Sequence, residues 1–185
     1  PQVAGESCGD TYRAGGPSSP IAASVSIEHS PDLPNPGDPI QFQANFEASR
    51  FVDEVRWDFG NDGSVDATGE TAQHSFERGG NHGVAVTVVF SDGSESSDLT
   101  GVDVNKRPDP VITVRPRNPT VGEEVEFDAS DSVDPDGEIR SHDWEYRASS
   151  GTVDTAGKTT VHSFSEGGER SVILRVTDDN GATTQ

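Results

Sequence analysis

The sequence of 185 residues contains no methionine, one cysteine, three leucines and only two lysines, Lys106 and Lys158. Each shortage removes a class of answer. Cys8 closes no disulfide within the chain, so it pairs with a thiol elsewhere or stays free, and the fold must be held by its core. No apolar run approaches the roughly 20 residues of a membrane-spanning helix, so no direct membrane insertion is expected of this segment. The chain opens on Pro1, without an initiator methionine or a secretory leader, as a mature chain or an excerpt would. Basic residues number 13 against 33 acidic ones, a net charge of −20, which makes nucleic acid and anionic membranes poor partners. The five histidines, at positions 29, 74, 82, 142 and 162, fall in no zinc-protease spacing. Carboxylates suited to glycoside hydrolysis exist by count, but nothing places two of them in a cleft. The expectation is a chain with no catalytic residues and no enzyme activity of its own.

What is abundant is valine, 20 residues, and the β-branched palette favours pleated strands over helices. Leucine, isoleucine, valine and phenylalanine together make only 37 of 185 residues, close to the composition of disordered chains, so pattern has to decide. The pattern is a duplication. Trp57 recurs as Trp144, His74-Ser75-Phe76 as His162-Ser163-Phe164, Gly79-Gly80 as Gly167-Gly168, and Val84, Val86 and Val88 as Val172, Leu174 and Val176. Within each unit apolar residues alternate: Ile40, Phe42, Ala44 and Phe46; Val55, Trp57 and Phe59; Val84, Val86, Val88 and Phe90; then Val125, Phe127 and Ala129; and His142, Trp144 and Tyr146. That period of two is the mark of a half-buried strand, and turns such as Asn61-Asp62-Gly63, Ser91-Asp92-Gly93 and Asp179-Asn180-Gly181 punctuate the runs. The fold class predicted is all-β, two tandem sandwiches, with Trp57, Phe76, Trp144 and Phe164 in their cores.

Trp57-Asp58-Phe59-Gly60-Asn61-Asp62-Gly63-Ser64 resembles the WDFGDGS signature of PKD (polycystic kidney disease) domains, with Asn61 inserted. Phe127-Asp128-Ala129-Ser130 and Ser132-Val133-Asp134-Pro135-Asp136-Gly137 are similar to two further stretches of that family, and the His-Ser-Phe, Gly pair and alternating valine strand follow in family order. The second unit departs at its signature, which reads Trp144-Glu145-Tyr146-Arg147. The resemblance implies Ig-like sandwiches of PKD type that occur extracellularly, often in tandem, as stiff spacers or protein-contact modules or beside the catalytic domains of secreted proteases and chitinases.

The organisation expected is an irregular lead over 1–20, a first PKD-like sandwich over 21–105, a Pro-containing linker over 106–110, and a second sandwich over 111–185. Two prolines, Pro108 and Pro110, stiffen that linker, so the two modules should form a rigid rod. After Gly93 the first unit continues through Leu99, Val102 and Val104, a closing strand in which Gly101 is expected to mark a bulge. After Gly181 only four residues follow, so the second sandwich lacks that last strand. Either the polypeptide runs on, or a neighbouring subunit donates a strand at this edge.

Calcium is the one cofactor the sequence suggests, because it takes six to eight oxygens from Asp- and Asn-rich loops turned by glycine. Asp58, Asn61, Asp62 and Asp66 form one candidate loop and Asp131, Asp134 and Asp136 another; the competing reading is solvated acidic turns. The only Asn-x-Thr match, Asn118-Pro119-Thr120, is blocked as a glycan acceptor by its proline.

Eleven arginines to two lysines, beside 19 aspartates, resemble the usage of extreme halophiles. Twenty unit charges at about 20 Å spacing repel by roughly 40 kcal/mol in unscreened water, and by about 3 kcal/mol at physiological salt. Only part of that acts on folding, since an unfolded chain repels itself too, but a part is large against a stability of about 5–15 kcal/mol. The functional expectation is an extracellular structural or adhesive module pair of a cell-surface, filament or virion-surface assembly in high salt, with other protein subunits or surface-layer components as partners. The alternative is the accessory region of a secreted hydrolase whose catalytic domain lies outside this chain.

Overall fold

The computed structural model of the protein describes residues 24–46, 51–148 and 151–185, and the lead segment with Cys8 lies outside them. The described residues contain strands and no α-helix. In the first module these are β1 (Val25–Ser30), β2 (Ile40–Phe46), β3 (Val52–Phe59), β4 (Ala67–Thr68), β5 (Thr71–His74), β6 (Gly80–Phe90) and β7 (Glu95–Val104). One sheet has the order β1-β2-β5 and the facing one β4-β3-β6-β7, every pair antiparallel. The second module repeats the plan with β8 (Thr113–Arg115), β9 (Glu124–Asp128), β10 (Ile139–Ala148), β11 (Gly151–Ala156), β12 (Thr159–Ser163), β13 (Ser171–Asp178) and β14 (Thr183–Thr184). Its sheets run β12-β9-β8 and β11-β10-β13-β14. Two all-β sandwiches in tandem are the result.

The alternation read from sequence is the alternation of burial. Ile40, Phe42 and Ala44 of β2 face Val55 and Trp57 of β3 and Val84, Val86, Val88 and Phe90 of β6 across one core, closed by Phe76, Val102 and Val104. Val125, Phe127, Ala129, Trp144, Tyr146, Leu174 and Val176 make the smaller second core. Phe164, the counterpart of Phe76, packs against that core but is only half-buried. Burying an indole demands a partner for its N–H. Trp57 Nε1 donates to the carbonyl of Gly69 at 2.8 Å, and Trp144 Nε1 donates to that of Gly157 at 2.8 Å. Both glycines sit at positive φ, +117° and +132°, a conformation that turns the carbonyl inward and that a Cβ would strain.

The duplication extends to irregularities. The β3–β6 register shifts between Val52 and Glu54, and the β10–β13 register shifts between Ile139 and Ser141, 87 residues on. Gly101 does not mark a bulge: β6 and β7 pair without interruption from Gly80↔Val104 to Val89↔Glu95. Its small size serves a close approach instead, since a Cβ there would lie 2.7 Å from Asn81 Nδ2.

The histidines common to both modules occupy the same aromatic niche. His74 stacks on Phe59 at 4.4 Å and meets Phe76 edge-on; His162 stacks on Tyr146 at 4.3 Å and meets Phe164 edge-on. Burial holds the His74 imidazole below the ordinary histidine value, so it serves as a neutral packing ring.

Candidate functional site

The first candidate loop closes on itself. Asp58, at the end of β3, accepts the amides of Asp62 at 3.1 Å and Gly63 at 2.7 Å. Asp66 accepts the amide of Phe59 at 2.7 Å. Asp62 accepts the hydroxyl of Ser64 at 2.6 Å and its amide at 2.9 Å, which holds the Asp62 carboxyl below its ordinary value. Asn61 takes φ +53° and makes the turn. Short polar side chains bonding to the backbone of their own turn are the usual means of ordering such a loop.

The second candidate loop is drawn into the junction between modules. Asp136 accepts the amide of Lys106 on both oxygens, at 3.2 and 3.1 Å. Asp134 Oδ1 faces the amide of Asp136 at 3.4 Å, while its Oδ2 is buried without a hydrogen-bond partner. Desolvation raises the Asp134 carboxyl above its ordinary value, and the negative charges of Asp178 and Asp136 add to the effect. Gly137 is enforced by what surrounds it: a Cβ there would lie 2.6 Å from Asp179 Oδ1 and 2.8 Å from Asp134 Oδ2. Asp131 stays exposed and does not join this group.

Two residues absent from the candidates read off the sequence organise the junction. Asp178, at the end of β13, is fully buried; it accepts Asn105 Nδ2 at 2.9 Å and the amide of Ala182 at 2.8 Å. Asn105, buried at the end of β7, also donates to Asn35 Oδ1 at 2.8 Å and accepts from Asn180 Nδ2 at 3.3 Å. The next residue but one, Arg107, donates to the Pro36 carbonyl at 3.2 Å in the first module and the Thr183 carbonyl at 3.3 Å in the second. The signal for Asp178 was present: it is the fourth member of the alternation Val172, Leu174, Val176, Asp178, where the first module has the buried Phe90. A carboxylate in a core-facing strand position needs a partner, and the partner comes from the other module.

Among the described residues no three histidine, cysteine or acidic side chains converge as metal ligands. His29 Nδ1 and His82 Nε2 lie within hydrogen-bond reach of the carbonyls of Pro31 and Arg78, at 3.1 and 2.8 Å. The one Gly-x-Ser-x-Gly match in the sequence, Gly5-Glu6-Ser7-Cys8-Gly9, falls outside the described residues. The junction, a polar lock between two sandwiches, is the most elaborated polar site among the described residues.

Comparison with known proteins agrees with the architecture. The family model described as PKD domain matches residues 22–104 and again 105–185. The chain is 38% identical over 102 residues to "Collagenase ColA" of Clostridium perfringens, covering 55% of this chain and 9% of that protein. It is 39% identical over 79 residues to "Microbial collagenase" of Vibrio alginolyticus, covering 43% of this chain and again 9% of that protein. The chain thus spans under a tenth of the length of these relatives. Among solved structures, the fibronectin(III)-like modules of Clostridium thermocellum CbhA align over 88% of this chain and 90% of that one, at 19% identity and a TM-score of 0.41.

Asp178→Ala would strip Asn105 and Ala182 of their acceptor. It is expected to cost about 2–3 kcal/mol in urea denaturation of the full chain. Asp131→Ala, on an exposed carboxylate, is expected to change stability by less than about 0.5 kcal/mol.

Proposed function

Because the chain belongs to the PKD domain family across two consecutive modules, we propose that it works as a non-catalytic extracellular spacer or protein-contact element, part of a surface assembly in concentrated salt. The observation that carries this reading is the junction. Domains joined by a short linker reorient freely unless something fixes them, and here Asn105, Lys106 and Arg107 are each bonded across the boundary. A pair locked in this way transmits position from one end to the other, which a spacer needs and a flexible tether lacks. Trp57, Trp144 and Tyr146 are buried, so these rings supply no stacking platform for sugars, and contact with other protein subunits or surface-layer components is favoured. Small-angle scattering and residual dipolar couplings test the reading. One inter-module orientation is expected for the native chain, broadened in Asp178→Ala combined with Arg107→Ala; independent tumbling of the native modules would overturn it.

The likeness to two collagenases favours one alternative, an accessory region of a secreted hydrolase whose catalytic part lies in other residues. A locked pair would present such a part at a fixed distance.

The acid excess fits this setting. Self-repulsion is screened as the Debye length shrinks from about 8 Å at physiological salt to about 3 Å at 1 M. The melting temperature is therefore expected to rise by several degrees between dilute buffer and about 2 M KCl, and an unchanged value would remove high salt from the proposal.

Calcium belongs to the same reading. Asp134 and Asp136 would hold it, with amide and main-chain oxygens completing the shell. The buried, unpartnered Asp134 Oδ2 fits a cation, and the cation would offset the clustered negative charge. At fixed ionic strength, calcium should raise the melting temperature relative to chelator. Asp134→Asn should abolish that shift without lowering the value in chelator, because the amide relieves the cost of desolvating a carboxylate. No shift in the native chain would remove the metal.

A further inference from the structure

The turn between β13 and β14 repeats the turn between β6 and β7, with the side chain at its tip exchanged. Phe90 donates its amide to the Ser94 carbonyl at 2.9 Å, Asp178 donates its amide to the Ala182 carbonyl at 3.0 Å, and each turn carries a glycine at positive φ, Gly93 at +79° and Gly181 at +88°. In the first module the tip residue is Asp92, whose carboxylate accepts the amide of Ser94 at 2.9 Å and also its hydroxyl. In the second it is Asn180. Ala182, in the place of Ser94, has no hydroxyl to offer, and its amide is taken by Asp178 at 2.8 Å. One turn is built around a carboxylate and the other around a carboxamide.

That carboxamide is committed to the junction. Asn180 Nδ2 donates to Asn105 Oδ1 at 3.3 Å, and the Asn180 carbonyl accepts Asn35 Nδ2 at 3.2 Å. Asn105 has no freedom to turn its amide over, because its Nδ2 already donates to Asn35 Oδ1 at 2.8 Å and Asp178 Oδ2 at 2.9 Å. Its oxygen therefore faces position 180 and requires a donor there. Asn105 is buried and Asn180 is exposed, so the lock meets solvent at Asn180. The chain has seven asparagines, and this is the one followed by glycine: two precede proline, which has no N–H, and four precede residues with side chains. Glycine leaves the approach of its own nitrogen to the preceding side chain unobstructed. The amide of Gly181 is also loosely held, at 3.3 Å from the Asp178 carbonyl, where Gly93 lies 2.8 Å from that of Phe90.

We propose that Asn180 is a site of spontaneous deamidation and that its conversion releases the lock between the modules. The Gly181 nitrogen, its proton lost to hydroxide, attacks Asn180 Cγ; the N–Cγ bond forms, the Cγ–Nδ2 bond breaks, and ammonia leaves after taking a proton from water, which restores the hydroxide. Water then opens the cyclic imide at either of its carbonyls, leaving aspartate or isoaspartate, with no change of oxidation state. The aspartate sets a carboxylate against Asn105 Oδ1, acceptor against acceptor, beside the charge of Asp178. That contact is too short for salt to screen. The isoaspartate reroutes the main chain through Cγ and displaces the carbonyl that accepts Asn35. Either product turns a fixed pair of modules into a hinged one. The inference rests on the reading of the junction as the element that fixes the pair.

The test ages the full chain in mildly alkaline buffer and follows every asparagine by peptide mass spectrometry. Position 180 is expected to convert at least about tenfold faster than any other asparagine, with ammonia released in step. Asn180→Gln, whose longer side chain would have to close a six-membered ring, should not convert. Residual dipolar couplings then compare the fresh chain, the aged chain, Asn180→Asp and Asp92→Asn. An aspartate at this place in the turn is native to the first module, so Asn180→Asp is expected to fold. One inter-module orientation is expected for the fresh chain and for Asp92→Asn, and a broadened one for the aged chain and Asn180→Asp. Conversion at 180 no faster than elsewhere overturns the proposal, and so does a single orientation that persists in Asn180→Asp; both leave the spacer reading in place. Modules that tumble independently in the fresh chain would overturn the release step together with that reading.

Discussion

Each module is assembled around one buried indole ring whose N–H must be satisfied inside the sandwich. Trp57 and Trp144 solve this in the same way, by donating at 2.8 Å to a glycine carbonyl that follows a short strand. The carbonyl can point inward only because Gly69 and Gly157 adopt positive φ. With the ring fixed, β3 or β10 is held against the facing sheet through Phe42 or Phe127, whose rings lie 5.8 and 5.9 Å from the indoles. In a chain poor in leucine and without methionine, valines can finish such a core, but they could not begin it: the indole supplies the buried area that a β-branched palette lacks.

That economy explains where the polar chemistry sits. The cores are apolar, and the carboxylates that organise local structure sit in turns and at the boundary between modules. In the turns they accept backbone amides and order the loops, as Asp58, Asp62 and Asp66 do. At the boundary they join the modules. Asp178 replaces an aromatic core residue with a buried acceptor, and Asn105 from the neighbouring sandwich answers it. A hydrogen bond to a charged group is worth more than a neutral one, and a buried carboxylate left alone is costly. The lock is therefore as firm as the penalty for opening it.

The modules are alike in plan and differ in the size of their cores. The core of the first extends through β7 to Val102 and Val104, and that of the second is built on Val125, Phe127, Ala129, Trp144, Tyr146, Leu174 and Val176.

The sequence by itself determined the class of fold, the duplication and the identity of the core strands. Strand burial has a period of two and side chains alternate strictly between faces, so Val84, Val86 and Val88 or Phe42 and Ala44 announce their own environment. The sequence did not reveal the partnership of Asn105 with Asp178, separated by 73 positions, nor that Asp134 and Asp136 gather at the module boundary while Asp131 stays outside. Hydrogen-bond partners are chosen by distance and direction in space, and those follow from how two finished sandwiches meet. Only the tertiary structure could separate the aspartates that order a turn from those that hold the modules together, since both kinds look alike in a chain so rich in acid.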